Sequence, residues 1–383
     1  MSQAVLTTTT EEVLTTINPR EALLLNLKGR TARIPDLKPV LAGWRGISSR
    51  HMSPFVEPLR EKVNTRLRGF NFDKAKRRRL EASDFASFTA LWWPDASLDK
   101  LEILAYLVIW LFTWDDEIDE PTGAFSTDFA GAQAYRERTL RFVGHCLGLN
   151  DTSSSSLSGH AKHEDDLRPQ NEIVQSFDVI GSALRASYSR SQCQRFYDEM
   201  ARFMAASEDE QAGRLTGHIP SLDEYWRFRL GTSAVYIGSA AGEYSISSRI
   251  PDALMRSDAA MQAIWDETNV IIAITNDLLS LRKEMQLDCI DSIVPLVFAS
   301  TGDVQRAVSE AVGALRAARE RFDNAAEDLM ARRYEHDETR SQVEQFIEVQ
   351  RSNCVGNLVW SLETLRYKMG ELTSEDGSQT FIL

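Results

Sequence analysis

The sequence predicts an all-α protein, a single domain of long helices around a central core. Three observations lead there. Apolar residues recur at three- and four-residue steps through most of the chain. Glycine (20) and proline (11) are sparse among 383 residues, so few positions interrupt a helix. No run of strict alternation bounded by NG or DG turns marks a hairpin, and no repeat of fixed period is visible.

Taken in order, residues 1–35 are Thr-rich and weakly patterned. They read as an N-terminal extension, partly disordered or packed loosely on the outside. The helical domain runs from 36 to 370, and its basic run at 74–79 (KAKRRR) reads as a solvated helix face rather than a nuclear address. Helical spacing marks 98–114, 170–187, 192–212, 222–244, 259–284, 304–327 and 341–367. The most apolar stretch, 101–114 (LEILAYLVIWLFTW), is shorter than the roughly 20 residues that span a bilayer. It reads as a helix buried on most sides. Residues 150–168 (NDTSSSSLSGHAKHEDDLR) are charged, Ser-rich and aperiodic, an expected exposed loop. Residues 371–383 form a C-terminal tail whose polar part is expected to fray.

The net charge of −13 disfavours nucleic acid and anionic membranes as partners. It also means that a polyanionic substrate must be held by local cations, either metal ions or placed Arg and Lys. The cysteines, Cys146, Cys193, Cys289 and Cys354, form no CxxC pair and suit reduced thiols of an intracellular protein. No HExxH spacing suggests zinc. The first residues lack a basic start followed by an apolar run. A cytoplasmic protein with no membrane span is expected, as a monomer or a homodimer.

Two polar clusters stand out. Asp115-Asp116-Glu117-Ile118-Asp119 follows the most apolar stretch directly. On a helix, Asp115 and Asp119 share a face, and like charges there invite a hard divalent cation between them. The alternative is a solvated helix C-terminus, opposed to the helix dipole; the cluster alone leaves both readings open. The second cluster is more informative. In Asn276-Asp277-Leu278-Leu279-Ser280-Leu281-Arg282-Lys283-Glu284, three oxygen-bearing residues recur at i, i+4 and i+8. They form one stripe on a helix, roughly 12 Å long. Two of the three are neutral, which suits a metal whose main partner is a polyphosphate. Mg²⁺ takes six oxygens and often keeps phosphate and water among them. Lys283, beside the stripe, can reach a phosphate directly. The plainer account is a polar surface face, but Asn-Asp inside so apolar a helix is unusual unless bonded.

These residues resemble the DDxxD and NDxxSxxKE (NSE) motifs of the class I terpene synthases. The likeness extends from about residue 91 to 367 and is nearest to fungal-type sesquiterpene synthases. Tyr225-Trp226-Arg227-Phe228-Arg229-Leu230-Gly231-Thr232 resembles the family's YxxxRxxT helix. It implies Arg229 as the diphosphate sensor, with Arg227 a lesser candidate. Arg366-Tyr367 resembles the family's terminal RY pair. Thr232 and Ser233 fall at the linker and effector positions. The resemblance implies a single-domain helical bundle around an apolar cavity. It implies three Mg²⁺ ions, with Mn²⁺ as an alternative, between Asp115 and the Asn276/Ser280/Glu284 stripe, with Asp116 and Asp119 nearby. The diphosphate would lie among the metals, Arg229, Lys283, Arg366 and Tyr367.

A carbocation so formed needs a dry pocket whose aromatic faces steady it. Phe112, three positions before Asp115, and Trp360, where the family often places an aromatic, are the first candidates. Phe88 and Trp92 follow; for each the plainer account is core packing. The expected reaction is Mg²⁺-dependent ionisation of farnesyl diphosphate and cyclisation to a sesquiterpene hydrocarbon or alcohol. Alternatives are a diterpene cyclase on geranylgeranyl diphosphate and a chain-elongating isoprenyl transferase, which normally carries two aspartate-rich motifs. A non-catalytic helical binding protein is a further alternative.

Overall fold

The computed structural model describes residues 18–47, 50–149 and 170–383. The loop expected at 150–168 and residues 1–17 of the expected extension lie outside the described residues. The chain enters through α1 (Pro19–Leu27) and β1 (Thr31–Ile34). Asn18 caps α1 through its side chain, with a proline in the first turn. Then come α2 (Val56–Gly69), α3 (Lys74–Ala82), α4 (Phe85–Trp92) and α5 (Leu98–Asp119), followed by α6 (Phe129–Cys146). After the undescribed stretch come α7 (Glu172–Gln175), α8 (Phe177–Ser187) and α9 (Arg190–Thr216). The next segment is broken into α10 (Leu222–Thr232), α11 (Val235–Ala240) and α12 (Gly242–Ile246). The chain closes with α13 (Asp252–Ser257), α14 (Ala259–Gln286), α15 (Ile293–Thr301), α16 (Val304–Ala331), α17 (Asp337–Glu363) and β2 (Gln379–Ile382).

The expected all-α bundle is what forms, and α14 is its centre. It packs against α16, α17, α11 and α10. Ile264, Ile271, Ile274, Leu278, Leu279 and Leu281 are fully buried along it. Such a helix is stable because its neighbours cover it almost all round. α5 is its counterpart, buried through Leu101, Trp110, Trp114 and Ile118 and packed on α4, α8 and α2. Capping boxes start α9 (Ser189 with Gln192) and α10 (Ser221 with Glu224). No helix among the described residues is long and apolar enough to cross a membrane.

Several expectations are corrected. The helix expected at 98–114 continues to Asp119, so the aspartates lie on the helix and not after it. The helix expected over 222–244 breaks at Ser233–Ala234, where Ala234 takes φ +57°. The last long helix ends at Glu363, which leaves Arg366 and Tyr367 in the turn beyond. Residues 31–34 of the expected extension and the end of the expected tail are tied in rather than loose. β1 and β2 pair antiparallel, Thr31 opposite Ile382 and Ile34 opposite Gln379. Leu27, Ala32, Ile34 and Phe381 are buried there. Four-residue strands are too short to leave a legible alternation. The basic run is only partly solvated: on α3, Lys76 pairs with Glu117 at 2.7 Å and Arg79 with Glu120 at 3.2 Å.

Candidate active site

One cavity of about 260 Å³ opens between α4, α5, α9, α10, α11, α14 and α17. Every side chain singled out from the sequence lines it: the aspartates of α5, the stripe of α14, Arg229, Thr232, Ser233, Lys283, Arg366, Tyr367 and the four aromatics. Arg227 is the exception among the candidates considered; it is exposed and faces a separate surface groove. Two positions along α10 separate it from Arg229, which turns the two side chains to different faces.

At one wall of the cavity is the end of α5. Asp115 and Asp119 share its inward face, four residues apart. Asp119 accepts from Arg214 Nη1 at 3.1 Å, and Arg214 also donates to the Ile118 carbonyl at 2.7 Å. Asp116 is buried and stands 3.5 Å from Arg366. Burial and the neighbouring Asp119 and Asp116 charges push the Asp115 carboxyl well above the usual carboxylate range. The protein therefore concentrates acidic oxygens here without supplying enough positive charge.

The opposite wall is α14. Ser280 donates to Glu284 at 2.5 Å. Asn276 accepts from Arg229 Nη2 at 2.8 Å and donates through Nδ2 to the Tyr367 hydroxyl at 2.8 Å. Arg229 also pairs with Asp277 at 2.7 Å. Glu284 Oε2 is buried without a hydrogen-bond partner. Burial, then the charge of Asp277, pushes the Glu284 carboxyl up to about 7. Lys283 lies 3.9 Å from Glu120, and burial lowers its ammonium pKa.

The apolar depth is aromatic. Phe88 stacks on Trp92 at 4.6 Å between centroids and meets Trp360 edge-on at 5.0 Å. The Arg366 guanidinium lies over the Phe112 ring, 5.0 Å from its centroid. Trp360 donates its indole N–H to the Ser83 carbonyl at 2.8 Å, which fixes the ring.

Among the described residues no group of three or more His, Cys, Asp or Glu could hold a metal ion by itself. The donors instead come from two walls and include neutral Asn and Ser. A hard oxygen-seeking cation still fits this set: the donors are all oxygens, Glu284 Oε2 is orphaned, and the charges of Arg366 and Arg229 do not offset burial and the neighbouring carboxylates at Asp115.

Sequence reasoning missed several residues here. Asp277 is buried and accepts from the Tyr225 hydroxyl, Arg229 and the Ile293 amide at 2.8 Å. Tyr225 sits four residues before Arg229, on the same face of α10, and that spacing was the available signal. Glu210, Asp291 and Cys289 also line the cavity. Arg20 of α1 reaches Asp291 at 2.9 Å, a contact no local pattern announces.

Residues 106–321 match the model of terpene synthase family 2, C-terminal metal binding. Over 362 residues the chain is 34% identical to the sesquiterpene cyclase hepA of Aspergillus oryzae, covering 94% of this chain and 95% of that protein. Over 289 residues it is 26% identical to silphinene synthase peniA of Penicillium patulum, covering 76% and 73%. Its fold is similar to that of α-eudesmol synthase, with a TM-score of 0.66 at 20% identity over 81% of this chain and 96% of that one.

Proposed function

The chain belongs to terpene synthase family 2, enzymes that cyclise isoprenoid diphosphates, and we propose that its substrate is farnesyl diphosphate and its product a sesquiterpene hydrocarbon or alcohol. The observation that carries this reading is the make-up of this cavity. Its rim holds oxygen donors from α5 and α14 and three cationic side chains, and its depth holds aromatic rings. The fifteen-carbon length is supported by the relative named a sesquiterpene cyclase. The segment 91–104 (LWWPDASLDKLEIL) resembles presilphiperfolanol synthase.

Arg229, Lys283 and Arg366 bind the diphosphate oxygens, with the Tyr367 hydroxyl free to donate because Asn276 occupies its lone pair. Arg229 rests on Asn276 Oδ1 and Asp277. Its turn toward the diphosphate frees Asn276 Oδ1 for a cation. Mg²⁺, three ions held by Asp115 and by Asn276, Ser280 and Glu284, would offset the negative charge that gathers on the diphosphate as the C–O bond breaks. Asp119, tied to Arg214, and Asp116, beside Arg366, steady the rim. Phe88, Trp92, Phe112 and Trp360 exclude water and present ring faces to the carbocation.

The test is product analysis. Ten-, fifteen- and twenty-carbon allylic diphosphates are incubated with the enzyme and Mg²⁺, and products are read by gas chromatography–mass spectrometry. A cyclic C15 product from farnesyl diphosphate, lost with EDTA and restored by Mg²⁺, is expected. A C20 cyclic product alone would move the reading to a diterpene cyclase. A longer diphosphate on adding isopentenyl diphosphate would mean a chain-elongating transferase. No turnover would mean a binding protein.

A further inference from the structure

The break between α10 and α11 has no glycine or proline at its hinge. Ala234 takes φ +57°, a region that a side chain with Cβ disfavours. Something holds it there. In a continuous helix the Ala234 amide would bond to the Leu230 carbonyl; here it bonds to Gly231 at 3.2 Å. The Leu230 carbonyl instead accepts from Asn269 Nδ2 at 2.7 Å, and at the longer distance of 3.4 Å from the Ser233 hydroxyl. Asn269 Oδ1 accepts from the Ser233 hydroxyl at 2.7 Å, and that hydroxyl accepts from the Val235 amide at 3.2 Å. Asn269 is fully buried and does not line the cavity. It lies on α14 two helical turns before Asn276, on the same side of the helix. The consequence is on the cavity wall. The Ser233 carbonyl, outside both helices, accepts no hydrogen bond among the described residues, the Thr232 hydroxyl is buried without a partner, and both residues line the cavity.

We propose that Asn269 is a positioning residue that holds this helix break open, keeping polar backbone of Thr232 and Ser233 on the cavity wall beside Arg229. It touches no substrate atom. Its amide replaces the helical bond that Leu230 loses and clamps the Ser233 hydroxyl that receives the Val235 amide. Without it the segment 230–235 gains by reclosing toward a regular helix, because buried carbonyls seek partners. Reclosure would withdraw the free Ser233 carbonyl dipole from the wall. The inference rests on the cavity being the site of carbocation chemistry.

The test uses the full-length enzyme with Mg²⁺ and farnesyl diphosphate, read as kcat, KM, product ratio and melting temperature. Asn269→Ala is expected to lower kcat on the order of 10- to 100-fold, to leave KM within about 3-fold, and to change the product ratio. Asn269→Asp keeps the acceptor for Ser233 but loses the donor to Leu230, and is expected to behave alike. Adding Ala234→Gly to Asn269→Ala removes the left-handed penalty and is expected to restore kcat by at least about 3-fold. A lower melting temperature with unchanged kcat and product ratio would make Asn269 merely structural and overturn the proposal. So would failure of the glycine to rescue. If Asn269→Ala does not fold, Ser233→Ala removes one hydroxyl at the same turn and is read the same way. A wild-type enzyme that yields no cyclic product sinks the cyclase reading and this inference with it. A cyclising wild type matched by its variants sinks this inference alone.

Discussion

Glu284 is the one carboxylate of the Asn276/Ser280/Glu284 stripe. It is held by Ser280 on one oxygen and left without a partner on the other. Replacing it with glutamine removes a negative ligand and keeps the shape. Turnover in Glu284→Gln is expected to fall by at least about 100-fold, while circular dichroism stays at the wild-type level; wild-type activity would remove Glu284 from the metal set. Its acidity gives a second prediction. The carboxyl is raised from 4.5 to about 7 in the metal-free fold. Between those values the native state keeps a proton that the unfolded chain has lost, so this group's contribution to stability falls as pH rises through that window. Cation binding needs the carboxylate. Mg²⁺ affinity measured by titration calorimetry should therefore weaken as pH drops below about 7, by up to about tenfold per unit for one proton displaced. Equal affinity at pH 6 and pH 8 would contradict it. At this scale the sequence was informative for the stripe, since identity and spacing define it. For Asp277 it gave only that an Asp inside so apolar a helix must be bonded; the partners, from α10 and the start of α15, came from the structure.

At the scale of elements, the long helices were legible because one apolar face repeats over many turns. The break at Ser233–Ala234 was not, because its hinge residues are ordinary helix formers and its cause lies on α14. The end of α17 was equally hidden; the helical pattern runs on toward Tyr367 although the backbone leaves the helix at Glu363. Where α17 crosses α4 the two approach closely at Gly356. A Cβ there would stand 2.7 Å from the backbone carbonyl carbon and oxygen of Leu91, and backbone cannot step aside as a side chain can. Gly356→Ala is expected to destabilise the fold by about 1–3 kcal/mol in denaturant titration. Wild-type stability in that variant would mean the crossing is looser than described.

Across the whole molecule, the cavity shares the acidic character of the chain. The chain carries −13 overall, and in the cavity lining Asp115, Asp116, Asp119, Glu120, Glu210, Glu284 and Asp291 outnumber Arg229, Lys283 and Arg366. A substrate with several negative charges therefore needs cations beyond these three side chains, which bound metal ions would supply. Residues 29–34 are joined to the C-terminal residues across the fold. Gly29 donates to the Leu383 carbonyl at 2.8 Å and Leu383 to that of Arg30 at 2.9 Å, extending the β1–β2 pair. Deleting residues 379–383 exposes the face covered by Phe381, a loss of about 1.5–3 kcal/mol from that ring alone. The melting temperature is expected to drop by at least about 3 °C in differential scanning calorimetry; no drop would mean the paired ends do not contribute to the cooperative fold.

Residue order alone determined that the protein is helical and which oxygens and cations stand at helical spacing, because helix period and side-chain chemistry are local properties. Only the tertiary structure decided that α5 and α14 face one another across an aromatic space, that Arg229 and not Arg227 turns inward, and that α10 stops where it does. Those outcomes depend on contacts between segments far apart in the chain, where packing and buried hydrogen bonds outweigh local preference.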